Sequence, residues 1–96
     1  MVTQYAVIFD FNTNCINECY DGSYYDAHNE VKEFMIDNGF SWEQGGVYLG
    51  DETMNSVKCV LFVQALAKKF PWFSTCVKDI RMLRIEENDD LLPAII

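Results

Sequence analysis

The sequence predicts a single α+β domain of 96 residues with the element order β-α-β-β-α-β. Three observations predict it: an apolar strand-like run near the N-terminus, two helical segments, and a strand pattern after each helix. Half of the residues are hydrophobic and 15% are aromatic, which is enough to form a core. No run approaches the roughly 20 apolar residues of a membrane span, and no basic signal-peptide flank precedes the first strand. We therefore expect a cytoplasmic protein without a membrane anchor.

The first half of the chain predicts a central strand followed by a helix. Residues 5–11 are apolar without polar alternation, which is typical of a strand covered on both faces, and Asp10 interrupts them at the C-terminal end. Residues 12–22 are polar and rich in turn formers, so we expect a loop. Ser23 and Asp26 have the spacing of a capping box for a helix that ends at residues 38–39, Asn-Gly.

The middle of the chain predicts a hairpin and a second helix. Two glycines at residues 45–46 indicate two short strands joined there, or one sharply bent strand. Asp51 or Thr53 is expected to cap a helix that runs to Phe70, before Pro71. This helix is apolar nearly all round, so one of its two apolar stripes needs the C-terminal tail or a partner subunit as a cover. The stripes are Met54, Val57, Leu61 and Ala65, and Cys59, Phe62, Val63, Leu66 and Phe70.

Residues 77–86 predict the last strand, with Asp79 and Arg81 on one face and Lys78 and Arg84 on the other. The whole order matches the ferredoxin-like split βαβ motif with a four-stranded antiparallel sheet. We expect the first and last strands side by side in the middle of the sheet and both helices on one face. Homodimerisation would cover the other face.

Two carboxylates carry the strongest chemical signal. A carboxylate in a buried strand is costly unless it is paired, hydrogen-bonded or metal-bound, so Asp10 either caps the next loop or serves a site. Asp79 either forms a structural ion pair with Arg81 or acts as a base beside a phosphate-binding guanidinium. Antiparallel neighbouring strands would bring Asp10 and Asp79 together. Their repulsion would then be relieved by proton uptake or by a cation such as Arg81.

The cysteines and the single histidine predict no further chemistry. The sequence has no secretory signal and no C-x-x-C pair, so we expect four free thiols, with the last two as small core residues: Cys15, Cys19, Cys59 and Cys76. His28 is expected to be structural, and one histidine excludes a two-histidine ribonuclease mechanism within one subunit.

The charge distribution restricts where a polyanion can bind. The net charge is −8, and residues 1–48 carry eight acids and only Lys32 as a base. The second half carries seven acids and six bases. We therefore expect any anion-facing surface in the second half, and no tight non-specific binding of RNA.

Three blocks of the sequence together resemble the virulence-associated protein D (VapD) family. They are residues 6–11 around Asp10, the segment Gln44-Gly45-Gly46-Val47-Tyr48, and residues 77–86, with Trp72-Phe73 before the last. The resemblance spans residues 4–90. It implies a ferredoxin-like homodimer with endoribonuclease activity of toxin-antitoxin type, and so RNA and an antitoxin protein as partners. The family is similar to the small nuclease-like subunit of the CRISPR adaptation machinery, in which an aspartate at the end of the first strand serves the site.

Our leading hypothesis is therefore an endoribonuclease with Asp10 and Asp79 as catalytic carboxylates. The residues expected to contact RNA lie in the second and third blocks: Gln44, Gly45, Gly46, Tyr48 and Arg81. Whether a divalent cation, Mg²⁺ or Mn²⁺, joins them is left open. The sequence departs from the family at Gly46, where serine is usual, and at Phe11, where leucine is usual. The alternatives are a non-catalytic dimeric interaction module and a small-ligand-binding regulatory domain.

Overall fold

The computed structural model describes residues 3–96, which form four strands, four helices and a 3₁₀ turn. In chain order these are β1 (Gln4–Phe11), α1 (Thr13–Cys19), α2 (Tyr24–Asp37), β2 (Phe40–Gln44), β3 (Val47–Gly50), α3 (Ser56–Lys69), α4 (Pro71–Cys76), β4 (Val77–Ile85) and the turn Leu92–Ala94. All paired strands are antiparallel, and the sheet order is β2-β3-β1-β4. The fold is α+β and consistent with the predicted ferredoxin-like arrangement. Within residues 3–96, no helix is both long and apolar enough to cross a membrane.

β1 is a central strand, but β4 lies at the edge of the sheet. β1 and β4 pair as predicted, with Gln4 opposite Ile85 and Asp10 opposite Asp79. The expectation that both lie in the middle is wrong. β3 pairs with the other side of β1, and β2 pairs with the outer side of β3. In the described chain, β4 therefore has one strand neighbour only.

The core lies between one face of the sheet and the helices α2 and α3. Phe9 is at its centre: its ring is 5.4 Å from those of both Tyr48 and Phe73 and 5.2 Å from that of Phe11. Buried positions of both helices join this cluster, which confirms that both helices cover the same face: Ala27, Val31, Met35, Cys59 and Leu66. Edge-to-face and offset aromatic pairs of this kind add specific geometry to the burial of apolar area.

α2 has the predicted boundaries. The side chain of Ser23 accepts a hydrogen bond from the backbone N–H of Asp26, whose carboxylate in turn accepts from the N–H of Ser23. Gly39, just beyond the C-cap, has φ = 90°, a conformation that glycine adopts without a steric penalty.

Residues 12–22 are not a simple loop, because they contain α1. The side chain of Asn12 accepts a hydrogen bond from the N–H of Cys15 at 3.1 Å and caps the helix. Ile16 is completely buried in the core. Tertiary packing of one apolar residue thus stabilises a seven-residue helix whose polar sequence has little intrinsic preference for it.

α3 begins later than predicted, at Ser56. Asn55 is its N-cap and accepts from the N–H of Lys58 at 2.9 Å. Asp51 instead forms a turn before the helix, because its carboxylate accepts from the N–H and the hydroxyl of Thr53 at 2.9 and 2.6 Å. These hydrogen bonds lower the pKa of Asp51.

The core covers the stripe of α3 that contains Cys59 and Leu66 and leaves the stripe that contains Val57 and Leu61 uncovered. Val57 and Leu61 are more than half exposed, and the apolar tail does not pack on them, since Ile95 and Ile96 are themselves more than 80% exposed. The C-terminal tail is therefore excluded as the cover within residues 3–96.

The prediction of four free thiols is wrong, because Cys15 and Cys76 form a disulfide. The unpredicted helix α1 carries Cys15 to the end of α4, where Cys76 is buried. Cys19 is free and exposed, and Cys59 is free and buried, as expected of a small core residue. Burial raises the pKa of the Cys59 thiol.

Candidate active site

Asp10 and Asp79 lie directly opposite each other in the β1–β4 ladder. Asp10 is near the C-terminal end of β1 and Asp79 is the third residue of β4. Directly opposed residues of antiparallel strands have Cβ atoms about 4.5–5.5 Å apart and point to the same face. The predicted approach of the two aspartates is confirmed within one subunit.

The aspartates face away from the helices, so the prediction that Asp10 is buried is wrong. Alternation along β1 places Phe9 and Phe11 in the core and Asp10 on the opposite face. The side chains of Asp10 and Asp79 are 72% and 56% exposed, whereas Ala6, farther along the same face, is buried. Asp10 therefore pays no large desolvation cost, and it is accessible to a ligand in solution.

Each carboxylate has its own cation. The Nε atom of Arg81 donates to both carboxylate oxygens of Asp79, at 3.0 and 3.3 Å. The Nζ atom of Lys78 is 3.7 Å from a carboxylate oxygen of Asp10. The expected contact of Arg81 with the aspartates is confirmed at Asp79, and Lys78 beside Asp10 is a second cation that the sequence did not predict.

A β-bulge explains the position of Lys78. Asp10 pairs with Asp79 but Phe11 pairs with Val77, so Lys78 is an extra residue in β4. A bulge of this kind redirects a side chain and interrupts strict alternation. The prediction that Lys78 lies on the face opposite Asp79 is therefore wrong. No residue type in this stretch indicates a bulge.

The β2–β3 hairpin reaches the same end of the sheet. Gln44 is exposed at the end of β2, and Gly45 has φ = 49°, in the left-handed region. The carbonyl of Gly46 accepts a hydrogen bond from the N–H of Phe9 at 3.0 Å, so the hairpin lies next to Asp10.

Glycine is required at position 46. A Cβ atom there would overlap the backbone carbonyl oxygen of Phe9. The serine usual in the resembling family does not fit this backbone, so any contact of the hairpin with a phosphate has to come from other groups.

Tyr48 does not belong to an RNA-binding surface. Its side chain is completely buried and stacks on Phe9. Burial raises its pKa to about 12, and its hydroxyl has no hydrogen-bond partner in the described chain. The expected contact between Tyr48 and RNA is incompatible with this burial.

His28 packs as an aromatic side chain, as expected. Its ring is 5.5 Å from that of Phe11 in an edge-to-face arrangement and 5.1 Å from that of Tyr24. Burial and, secondly, the charge of Lys32 lower the pKa of His28, which favours the neutral imidazole.

The aspartate pair has the donor atoms that a hard divalent cation prefers. Mg²⁺ is commonly held by one or two carboxylates together with substrate phosphates, which an exposed pair permits. Within residues 3–96, the one group of three metal-donor side chains is Cys15, Cys19 and Cys76, whose sulfur atoms lie within 4.8 Å of one another. Two of these sulfur atoms are already bonded in the disulfide.

The chain is similar to several known endoribonucleases over nearly its whole length. It is 60% identical to endoribonuclease VapD 2 of Riemerella anatipestifer over 92 residues, which cover 95% of this chain and 98% of the relative. It is 55% identical to an endoribonuclease VapD homolog of Helicobacter pylori over 91 residues, 95% of each chain. Endoribonuclease VapD of Dichelobacter nodosus is 31% identical over 86 residues, 90% of each chain. No family model matches the sequence. The coverage and identity of these relatives show that the chain belongs to the endoribonuclease VapD family.

Proposed function

We propose that this chain hydrolyses RNA phosphodiester bonds at the paired aspartates Asp10 and Asp79. The observation that carries the proposal is their register, which puts two exposed carboxylates side by side, each next to a cation. Because both carboxylates are more than half exposed, a substrate in solution can reach them. Relatives at 55–60% identity are named endoribonucleases.

The proposed chemistry uses one carboxylate as a general base. It accepts a proton from the attacking water, the water oxygen forms a new P–O bond, and the bond from phosphorus to the leaving oxygen breaks. The leaving oxygen takes a proton from solvent. The guanidinium of Arg81 and the ammonium of Lys78 offset the charge that develops on the phosphate oxygens. Where a divalent cation binds, the same carboxylates would hold it, and it would supply Lewis-acid stabilisation of that charge.

RNA contacts are proposed for the exposed neighbours of the pair. Arg81 and Lys78 are more than half exposed and can exchange their carboxylate partners for phosphate. Gln44 and the backbone of Gly45 and Gly46 lie at the hairpin beside Asp10. Tyr48 is excluded from this set by its burial.

A homodimer is part of the proposal, because the open face of the sheet is apolar next to the aspartates. Ile8, Leu49 and Leu83 share this face with Asp10, and Leu83 is 44% exposed. A small domain gains stability when a partner buries such a surface. A mass of twice 11.1 kDa by light scattering at micromolar concentration supports it, and a mass of 11.1 kDa contradicts it.

We also propose that RNA cleavage serves a toxin-antitoxin function in the cytoplasm, on the strength of family membership alone. Induced expression of the wild type would then arrest growth and lower RNA integrity, whereas Asp10→Asn would do neither. Growth arrest by both proteins would contradict a toxin role based on cleavage.

The direct test is incubation of purified wild-type protein with single-stranded and structured RNA. Each reaction is run with Mg²⁺, with Mn²⁺ and with a chelator, alongside Asp10→Asn and Asp79→Asn. The matched control is Asp89→Asn, which removes an exposed carboxylate in the C-terminal segment. We expect cleavage by the wild type and the control and none by the two site variants.

The arms of this test separate the alternatives. If the wild type cuts no RNA under any condition, the non-catalytic interaction module replaces the nuclease. If it cuts and both site variants cut equally fast, the enzyme assignment stands and the aspartate site is wrong. If the wild type cuts RNA with Mg²⁺ or Mn²⁺ but not with the chelator, a divalent cation takes part in the reaction.

A further inference from the structure

A pocket opens on the helix-covered side of the hairpin, in the groove between α2 and β2. Its volume is about 220 Å³, and it is lined by Tyr25, His28, Asn29, Lys32, Trp42 and Gly45. Pockets for whole drug-sized ligands measure roughly 300–1,000 Å³, so this one suits a fragment such as a single nucleobase. Aromatic rings with a few polar groups are the usual composition of sites that take an unpaired base.

Among the described residues, the pocket is lined by one base and no carboxylate. In the part of the chain that the structure describes, no carboxylate lines it, although the protein has 15 acids against 7 bases. Lys32 is the only base among residues 1–48, and it lies here. At this groove a polyanion would meet the ammonium of Lys32 and, within residues 3–96, no lining carboxylate.

Tyr25 and Trp42 are both exposed in the pocket, and Trp42 is also held in place. The indole Nε1 of Trp42 donates to the carbonyl of Gly45 at 2.8 Å, and the ammonium of Lys32 lies 3.8 Å from the centre of the indole ring. The rings of Tyr25 and Trp42 remain 72% and 42% exposed. A base can therefore stack on Trp42 without the entropic cost of ordering that ring.

The pocket adjoins both chain neighbours of Asp10. His28 packs on Phe11, and Gly46, next to the pocket residue Gly45, is hydrogen-bonded to Phe9. The pocket and the aspartate pair thus lie on opposite faces of the same end of the sheet, separated by the hairpin tip. A single strand seated in the pocket would pass this tip on its way to Asp10.

From these observations we propose that the α2–β2 groove is a subsite for one unpaired base of single-stranded RNA, which rests on the proposed nuclease function. The base stacks on Tyr25 and Trp42, and its edge meets the hydrogen-bonding groups of His28 and Asn29. Lys32, whose ammonium lies over the indole ring in the free protein, moves off the ring and contacts the adjoining phosphate. The neutral imidazole of His28 offers one donor and one acceptor, as base recognition requires.

The test measures RNA binding separately from cleavage. Fluorescence anisotropy with a short labelled single-stranded RNA is recorded for full-length Asp10→Asn protein, which leaves the pocket intact. In this background we expect Tyr25→Ala and Trp42→Leu each to weaken binding about tenfold, the effect of losing one base–aromatic stack. Tyr25→Ala removes a mostly exposed ring, so its result does not depend on the fold tolerating Trp42→Leu.

Lys32→Gln has a matched control in Lys68→Gln, which makes the same charge change at an exposed position of α3. We expect Lys32→Gln to weaken binding and to reduce the slope of log affinity against log salt by about 0.7, the value for one phosphate contact on a single strand. Lys68→Gln should change neither.

The outcomes distinguish this proposal from the proposed function. Undetectable binding, or equal affinities for Tyr25→Ala, Lys32→Gln and Lys68→Gln, would overturn the subsite whether or not the wild type cuts RNA. A selective loss of binding in the pocket variants supports the subsite, even where the wild type shows no cleavage and the nuclease assignment fails. An RNA duplex of the same length that competes as well as the single strand would also overturn it.

Discussion

The two faces of the sheet differ in almost every physical respect. The face towards α2 and α3 is closed by aromatic rings, with Phe9 in contact with three others. The opposite face is open in the described chain and carries Asp10, Asp79 and Arg81. Adjacent residues of β1 alternate between the two faces, so this strand contributes side chains both to the core and to the aspartate pair. The covered face determines the fold, and the open face is available for a substrate and a partner.

The largest effect on folding is expected on the covered face. Phe9→Ala should lower the free energy of unfolding by about 3–5 kcal/mol, because it removes a large buried ring and leaves a cavity. Chemical denaturation measures it. The matched control is Ile8→Ala, one residue away on the open face and only partly buried. An equal loss for both variants at concentrations that favour monomers would contradict the distinction between the faces.

The disulfide should contribute the next largest effect. It joins residues 61 positions apart, and disulfides typically stabilise by about 2–4 kcal/mol. Alkylation in denaturant without reductant should label two cysteines, Cys19 and Cys59, and reduction should lower the unfolding midpoint. Because Cys19 lies 3.9 Å from the sulfur of Cys15, Cys19→Ser controls for disulfide exchange. Four labelled cysteines in the oxidised protein would show that the bond is absent.

Gly46→Ser tests whether the hairpin tolerates the family's usual serine. The added Cβ would overlap the Phe9 carbonyl, so we expect a loss of about 1–3 kcal/mol in unfolding free energy, as for other overpacked sites. The neighbouring variant Gly45→Asn is the control, because no atom lies within 4 Å of its Cβ position and asparagine tolerates positive φ. Normal stability with increased cleavage in Gly46→Ser would show that the serine belongs to the site.

The smallest effect on stability is expected for Arg81→Gln. The ion pair with Asp79 is more than half exposed, and such pairs contribute less than about 1 kcal/mol. Cleavage should nevertheless decrease, since the guanidinium is proposed to bind phosphate. A large loss of stability without a loss of cleavage would show that the Arg81–Asp79 ion pair stabilises the fold and takes no part in the reaction.

The sequence allowed prediction of most of the fold, because periodicity, caps and glycines report on local structure. It predicted the capping box at Ser23, the hairpin at residues 45–46 and the pairing that brings Asp10 to Asp79. The failures have a common cause. The exposure of Asp10, the burial of Tyr48 and the bulge at Lys78 depend on which face the helices cover and on one extra residue in a ladder.

The disulfide and the pocket between α2 and β2 were missed for a related reason. Both depend on long-range neighbours, since Cys15 meets Cys76 and Lys32 meets Trp42 only through tertiary packing. Their residues have no shared motif or spacing. Sequence patterns therefore predict helices and strands more reliably than they predict sites formed by residues that are far apart in the chain.

The most direct test of the central claim is the rate of RNA cleavage by Asp10→Asn relative to wild type, at equal concentrations of folded protein. General acid–base groups contribute about 10²- to 10⁴-fold, so we predict a decrease of that size. The free energy of unfolding should stay the same or rise, because an exposed carboxylate beside another is removed. Cleavage at the wild-type rate by folded Asp10→Asn would contradict the claim that the open face of the sheet carries the reaction.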